Sequence, residues 1–408
     1  MGFATGPPGP TLTRMTQSMM QGMDLPELGL LLLVACCVAI GSARVRLPYA
    51  VGLVAAGLAL GLAGFPGRAA LTGHLLFGAI LPPLIFEAAL HLGWGRFRRE
   101  APLVLSLAFI GTALSAAVVA GLMHGLAGWG WPAALLFGAL IAATDPVSVI
   151  AMMKEQQAEP RLRFLMEAES IVNDGAAAVL FALVAGVIEG QAASPSAMAL
   201  ALATTVGGGV LAGLAVGAAL MLMAGRASDP LVEIALTLLA AYGAFWLADG
   251  LHVSGVLATL AAGMLVGNWG KGRHLSAAGG QAALAFWEFA AFLANSLVFL
   301  LIGSREAAQP ITAYLWPAAM GTLAVLAGRA AAIYPLGALF ARSRLAMDRL
   351  TQHILFWGGL RGALAIALAL EAPASLPEHA ALVSTAFAVV AFSIFVQGLS
   401  VPRLLARA

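Results

Sequence analysis

The chain has 408 residues, of which 61% are hydrophobic and only 10% charged, and its mean hydropathy is +0.94. A soluble protein carries roughly 25% charged residues, so this one lacks the charge to cover a water-exposed globule; the same arithmetic excludes a disordered chain, a disulfide scaffold and a nucleic-acid-binding protein. Its 21 basic and 19 acidic residues nearly cancel, and what remains is an all-α polytopic membrane protein, the 47 glycines pointing to packed helices and not to a barrel.

Residues 1–26 are polar and rich in Pro, Gly, Thr and Met, without the apolar stretch of a signal peptide. They are expected to be a disordered tail, or to reflect a start codon placed ahead of Met15, Met19, Met20 or Met23. A spanning helix needs about 20 mainly apolar residues. Apolar runs and their breaks predict about 13 transmembrane helices, near 27–43, 48–64, 70–92, 102–126, 131–153, 164–188, 197–225, 231–248, 252–268, 282–303, 311–340, 350–371 and 379–402. The narrowest break, Asp249 to Leu251, separates the eighth from the ninth. Cys36 and Cys37, adjacent in the first run, point in different directions on a helix and read as small buried apolar residues, not as a disulfide or a metal site. Gly57 with Gly61, and Gly209 with Gly213 and Gly217, repeat every fourth residue, which suits close helix packing or, alternatively, a dimer contact.

Alternating the connections places 16 of the 21 basic residues on one side of the membrane and three on the other. The positive-inside rule makes the basic side cytoplasmic, with the N-terminus outside and the C-terminus inside. Two arginines, Arg329 and Arg361, remain inside helices.

Ionisable groups at membrane depth are expensive and point to function. They are Glu87, Asp145, Glu169, Asp174, Glu233, Glu288, Arg329 and Arg361, whereas Glu167 lies near a helix end and is expected to snorkel to water. Asp145 sits in Ala143-Thr144-Asp145-Pro146, in the middle of the fifth segment. Proline removes a backbone donor and disfavours helical geometry in the residue before it, so the helix should break there, which is tolerable only where the freed groups face a cavity or an ion. The sixth segment carries Glu169, Ser170, Asn173 and Asp174, and four-residue spacing gathers them on about a third of its circumference. In the twelfth, Gly358-Gly359-Leu360-Arg361-Gly362 loosens the helix around a buried arginine that needs an acidic partner, for which Glu169 is expected. If segments 1–6 repeat as 8–13, the interrupted fifth corresponds to the interrupted twelfth, the pattern of inverted-repeat transporters whose broken helices cross near the ion site. His252, His353 and His379 lie near helix ends, as interfacial residues or pH sensors; Glu233 and Glu288 are left between solvation and packing.

At Ala143-Thr144-Asp145-Pro146, Glu169-Ser170-Ile171-Val172-Asn173-Asp174-Gly175, Gly359-Leu360-Arg361-Gly362-Ala363 and Pro83-Leu84-Ile85-Phe86-Glu87 the chain resembles the NhaP-type sodium/proton antiporters of the monovalent cation:proton antiporter family. The resemblance spans about 27–404 and implies two inverted six-helix repeats with discontinuous fifth and twelfth helices. It further implies core helices about 102–188 and 311–402 and scaffold and dimer helices about 27–92 and 197–303; the last predicted helix ends almost at the C-terminus, so no soluble C-terminal domain is expected, a departure from longer relatives. Asp174 would be the carboxylate for which cation and proton compete, with Asp145, Thr144, Ser170 and Asn173 completing or shaping the site and Glu87 on the ion path. Glu169 with Arg361 would be a structural ion pair, and Arg329 a brace of the core. The expected activity is exchange of Na+, or else Li+ or K+, for H+ in a bacterial cytoplasmic membrane, by a homodimer that uses no cofactor and is not an enzyme. Because position 173 is a neutral Asn, one exchangeable charge is available and exchange should be electroneutral. An ion channel would need a continuous polar path, and an intramembrane aspartyl protease would need the Asp145 and Asp174 pair in other sequence settings.

Overall fold

The computed structural model describes residues 25–45, 47–64, 76–190, 194–227, 229–270, 273–306 and 314–406. Within them the chain is helical throughout. In order, the helices are α1 (Leu25–Val45), α2 (Tyr49–Leu62), α3 (Leu76–His91), α4 (Trp94–Ala127), α5a (Trp131–Ile141) and α5b (Val147–Glu155), then α6 (Pro160–Ile188) and α7 (Pro195–Ala224). They continue with α8 (Pro230–Gly250), α9 (Gly255–Gly270), α10 (Ala277–Glu306), α11 (Leu315–Phe340), α12a (Arg349–Trp357) and α12b (Ala363–Leu370), and α13 (His379–Leu405). Each predicted segment has a helical counterpart; among the described residues eight helices are long and apolar enough to cross a membrane, and α2, α3, α5a and α9 are shorter apolar helices. The expected N-terminal tail lies outside the described residues but for its last two, as do Arg14, Arg46, Arg68, Lys271 and Arg407 of the basic-residue count.

Local chemistry sets many of the ends. Pro160, Pro195 and Pro230 open α6, α7 and α8 at the first helical position, where a missing N–H costs nothing. Ser194, Asp229, Ser254 and Asp348 cap α7, α8, α9 and α12a through their side chains. The narrow break after α8 is a genuine reversal: the chain turns over Leu251 to Ser254 with His252 at φ +56°. Several helices outrun their apolar cores. α4 begins at Trp94, so Arg96, Arg98 and Arg99 ride on its first turns, and α6 begins four residues ahead of the apolar run. Cys36 and Cys37 are exposed on α1, contrary to the buried placement expected for small apolar side chains, because that helix packs by one narrow face only.

The packing repeats itself. α2 lies along α10 and α3 along α9, α5a touches α13 and α6 touches α12b, and α4 lies along α11. Pairing α1–α6 with α8–α13 maps each of these contacts onto another or onto itself, as two six-helix repeats require. Gly209, Gly213 and Gly217 all face α9, where a Cβ on Gly213 would run into the Ala258 carbonyl, so this stripe serves packing inside the molecule. Gly57 likewise lies against the Leu300 carbonyl of α10.

Gly213→Ala should therefore push α9 away and cost about 1–3 kcal/mol, whereas Gly207→Ala, which meets open space, should be neutral or mildly stabilising. Thermal unfolding of the purified variants in detergent reads the difference; equal melting temperatures would contradict this packing.

Candidate functional site

Helices α5 and α12 are both interrupted, at Ala142–Pro146 and Gly358–Gly362, and the interruptions cross. Every broken helix leaves backbone groups that must find partners away from water. Here each interruption supplies the other: the Asp145 amide donates to the Leu360 carbonyl at 2.8 Å. The Ala142 and Ala143 carbonyls both accept from the Arg361 guanidinium, each at 2.8 Å, while the Arg361 amide donates to Ser393 Oγ at 3.0 Å. Ser393 begins a π-helical turn of α13, Ser393–Gln397, whose Gln397 also donates to the Trp357 carbonyl at 3.1 Å. The Asp145 carboxylate accepts from the Val147 amide at 3.1 Å and also from the Ala363 amide. It thus sits at the N-termini of α5b and α12b together, where two sets of amide dipoles meet. Gly362 has to be glycine for this, since a Cβ there would overlap the Asp145 side chain.

α6 completes the arrangement from the side. Ser170 Oγ donates to the Thr144 carbonyl. Asn173 receives the Thr144 amide at 3.2 Å and donates to Glu169 at 3.1 Å and to the Ala142 carbonyl at 3.4 Å. Asn173 thereby splints α6 to the break in α5. The expected ion pair of Glu169 with Arg361 is not the one formed. Glu169 is held by Arg329 in a two-pronged contact at 2.7 and 3.0 Å, and Arg329 also donates to the Leu355 carbonyl of α12a at 2.9 Å. The reason is directional. Glu169 lies on the flank of α6 that meets α11, while the Arg361 guanidinium is committed to the two carbonyls freed at the α5 break. Gly359 leaves room for Arg329, whose guanidinium a Cβ would strike.

The remaining groups face a cavity of about 1140 Å³ between these helices and α1, α2, α3 and α10. Asp174, Asp145, Thr144 and Ser170 line its deep end, and Glu87 lines it nearer the mouth. From there it reaches Pro48, His91, Glu155, Gln156 and Pro402, at the helix ends that carry Arg44, Arg96, Arg161 and Arg403. No lining residue comes from the opposite helix ends. Glu169, Arg329, Arg361 and Asn173 lie behind the wall. Asp174 has no hydrogen-bond donor or cationic partner among the described residues, and Asp145 and Glu169 are close enough to repel its charge.

The sequence reading missed several lining residues. Glu167, expected to snorkel, faces the cavity with Lys154, His91, Glu288 and Asn295, and His91 Nε2 lies 3.4 Å from Glu87. A signal for Glu167 was present, because 167, 170 and 174 follow helical spacing on the face that carries Asp174. Glu233 is elsewhere: fully buried, it accepts the Ser276 amide at 3.0 Å and caps the start of α10.

The family model described as the transmembrane sodium/hydrogen exchanger matches residues 30–407. The low-affinity Na+/H+ antiporter NhaS1 of Synechocystis sp. is 36% identical over 364 residues, covering 87% of this chain and 68% of that protein. The Na+/H+ antiporter NhaP of Pseudomonas aeruginosa is 35% identical over 345 residues, covering 82% of this chain and 81% of that protein. Among solved structures, the sodium proton antiporter MjNhaP1 of Methanocaldococcus jannaschii superposes with a TM-score of 0.76 over 96% of this chain and 99% of its own, at 18% identity, and shares the fold.

A double-mutant cycle tests the exchanged arginine. Glu169→Gln or Arg329→Gln alone leaves a buried charge unmatched and should cost about 3–5 kcal/mol, with much of that recovered in the double variant. Coupling of Glu169 to Arg361, read from the same melting curves, should be smaller. The opposite order would restore the pairing expected from sequence.

Proposed function

The chain belongs to the sodium/hydrogen exchanger family, and from that membership we propose that it exchanges Na+ for H+ as a secondary antiporter. The observation that carries the reading is the isolation of Asp174. The other charges of the core are already matched, Glu169 by Arg329, Asp145 by two helix N-termini and Arg361 by two carbonyls. Of these core charges, Asp174 is the one that faces the cavity without a partner among the described residues. A bare carboxylate at membrane depth is costly, and either a proton or a monovalent cation relieves it, so the two compete for one place.

In this reading Na+ is held by the Asp174 carboxylate with oxygens from Thr144, Ser170 and Asp145, a hard-ligand set suited to a small cation. Asn173 holds the break that presents them, and Glu87 draws the cation inward. The names of the relatives favour Na+ over K+ as the exchanged ion. Either loaded form of the site is neutral there, and only loaded forms cross cheaply. α4, α5, α6, α11, α12 and α13 would move as a core against the remaining helices, which would form the scaffold and a homodimer contact. The mouth of the cavity lies at the basic helix ends, so by the positive-inside rule the site is open to the cytoplasm in this state, within a bacterial cytoplasmic membrane. Its service to the cell would be pH and sodium homeostasis.

Two measurements test this. In everted vesicles, Na+ and Li+ should dequench a pH-gradient dye, K+ should not, and Asp174→Asn should fall to the level of vesicles without the protein. Residual exchange in Asp174→Asn would remove the central assignment. In proteoliposomes, exchange should be electroneutral, one cation for one proton, because Asn173 adds no second charge; a rate that follows an imposed membrane potential would refute that stoichiometry.

A further inference from the structure

A second cavity, of about 430 Å³, opens on the outer wall of the molecule between the ends of α11, α12a and α13. It shares no lining residue with the central cavity. Its walls are aromatic, formed by Tyr334, Phe356 and Trp357, and its rim carries His353 and Arg403. The neutral polar groups are satisfied among themselves. Tyr334 Oη and His353 Nδ1 lie 2.8 Å apart, Trp357 Nε1 donates to Ser400 Oγ at 2.7 Å, and Ser400 donates to the Val396 carbonyl at 2.7 Å. What stays unsatisfied is cationic. Arg403, exposed in the last turn of α13, has no hydrogen-bond or ion-pair partner among the described residues. Arg349, also exposed, precedes His353 by four residues and so lies on the same face of α12a. No carboxylate lines the cavity, and the neighbouring Asp348 is committed to capping α12a through the Thr351 amide at 3.0 Å.

From these observations we propose that the cavity binds the phosphate headgroup of an anionic phospholipid. The guanidinium of Arg403 takes the phosphate, Arg349 adds charge from the water side, and the aromatic walls seat the glycerol region. The surface beside the cavity decides for a lipid over a free anion: Leu339, Val396 and Leu399 are 72%, 45% and 40% exposed, an apolar track on which acyl chains can lie. Aromatic residues gather at membrane interfaces in any case, but that tendency accounts for neither the concavity nor the unpaired guanidinium. Such a lipid would pin together α11, which carries Arg329, α12a, which ends at the break, and α13, which carries Ser393. Its occupancy would therefore bear on how firmly the crossing is held.

Native mass spectrometry of the full chain in detergent, with phosphatidylglycerol or phosphatidylcholine added, tests the proposal. Phosphatidylglycerol should be retained in preference. Arg403→Gln should weaken that retention about fivefold, the equivalent of about 1 kcal/mol for one interfacial arginine. Arg403→Lys should keep most of it, and Arg226→Gln, an exposed arginine just past the end of α7, should leave it unchanged. Because Arg403 makes no hydrogen bond or ion pair among the described residues, these variants should melt like the parent in the absence of added lipid. Equal retention of the two lipids, or unchanged retention in Arg403→Gln, would overturn the proposal. Displacement of the lipid by inorganic phosphate alone would do so as well, by assigning the cavity to a free anion.

Discussion

Two helices that stop halfway across a membrane can persist only if something other than water takes up the groups they release. In this protein the two stops take up each other's. The amide of Asp145 meets the carbonyl of Leu360, and the guanidinium of Arg361 reaches back to Ala142 and Ala143. The carboxylate of Asp145 is shared between the first turns of both half-helices. The rest of the core is arranged around that exchange. Ser170 and Asn173 secure the α5 break from α6, Ser393 and Gln397 secure the α12 break from α13, and glycines stand where a side chain would collide with a charged group.

The same arrangement sorts the buried charges by availability. A guanidinium bound to a carboxylate in two-pronged fashion, as Arg329 is to Glu169, is costly to separate in a low-dielectric setting, and neither partner is free to change its state. Asp145 is surrounded by oriented amides. Asp174 shares α6 with Glu169 and Asn173 but points to the other flank, into the cavity. Neighbouring positions on one helix thus divide into a structural side and an open side, and a rotation of about 100° per residue is enough to separate them.

Much of this could be read in the sequence, for reasons specific to each element. Pro146 removes an amide and constrains Asp145, so the α5 break follows from local chemistry, and the three glycines before and after Leu360 and Arg361 mark the α12 break by the opposite route, the backbone freedom that weakens a helix. The spacing of Ser170 and Asp174 places them together on any helix. The partner of Glu169 was not legible, because it depends on how α11 and α12 are rotated against α6, and local spacing carries no information about that. Helix starts were missed where polar first turns precede the apolar run, as at Trp94 and Pro160. The role of Glu167 was hidden for a different reason: an acid near a helix end has water within reach on either account, and only the cavity distinguishes a lining residue from a snorkelling one.

The depth of the central cavity has an electrical consequence. A space of about 1140 Å³ that runs from the helix ends on the basic side down to Asp174 has room for many water molecules, and water-filled space supports little voltage drop. The transmembrane field is then concentrated across the packed opposite half, where Trp129, Phe137, Leu140 and Ile141 are buried. In this state Asp174 belongs, electrically and chemically, to one bulk phase. It reads the ion concentrations and acidity of that compartment and is insulated from the other by roughly half the thickness of the protein.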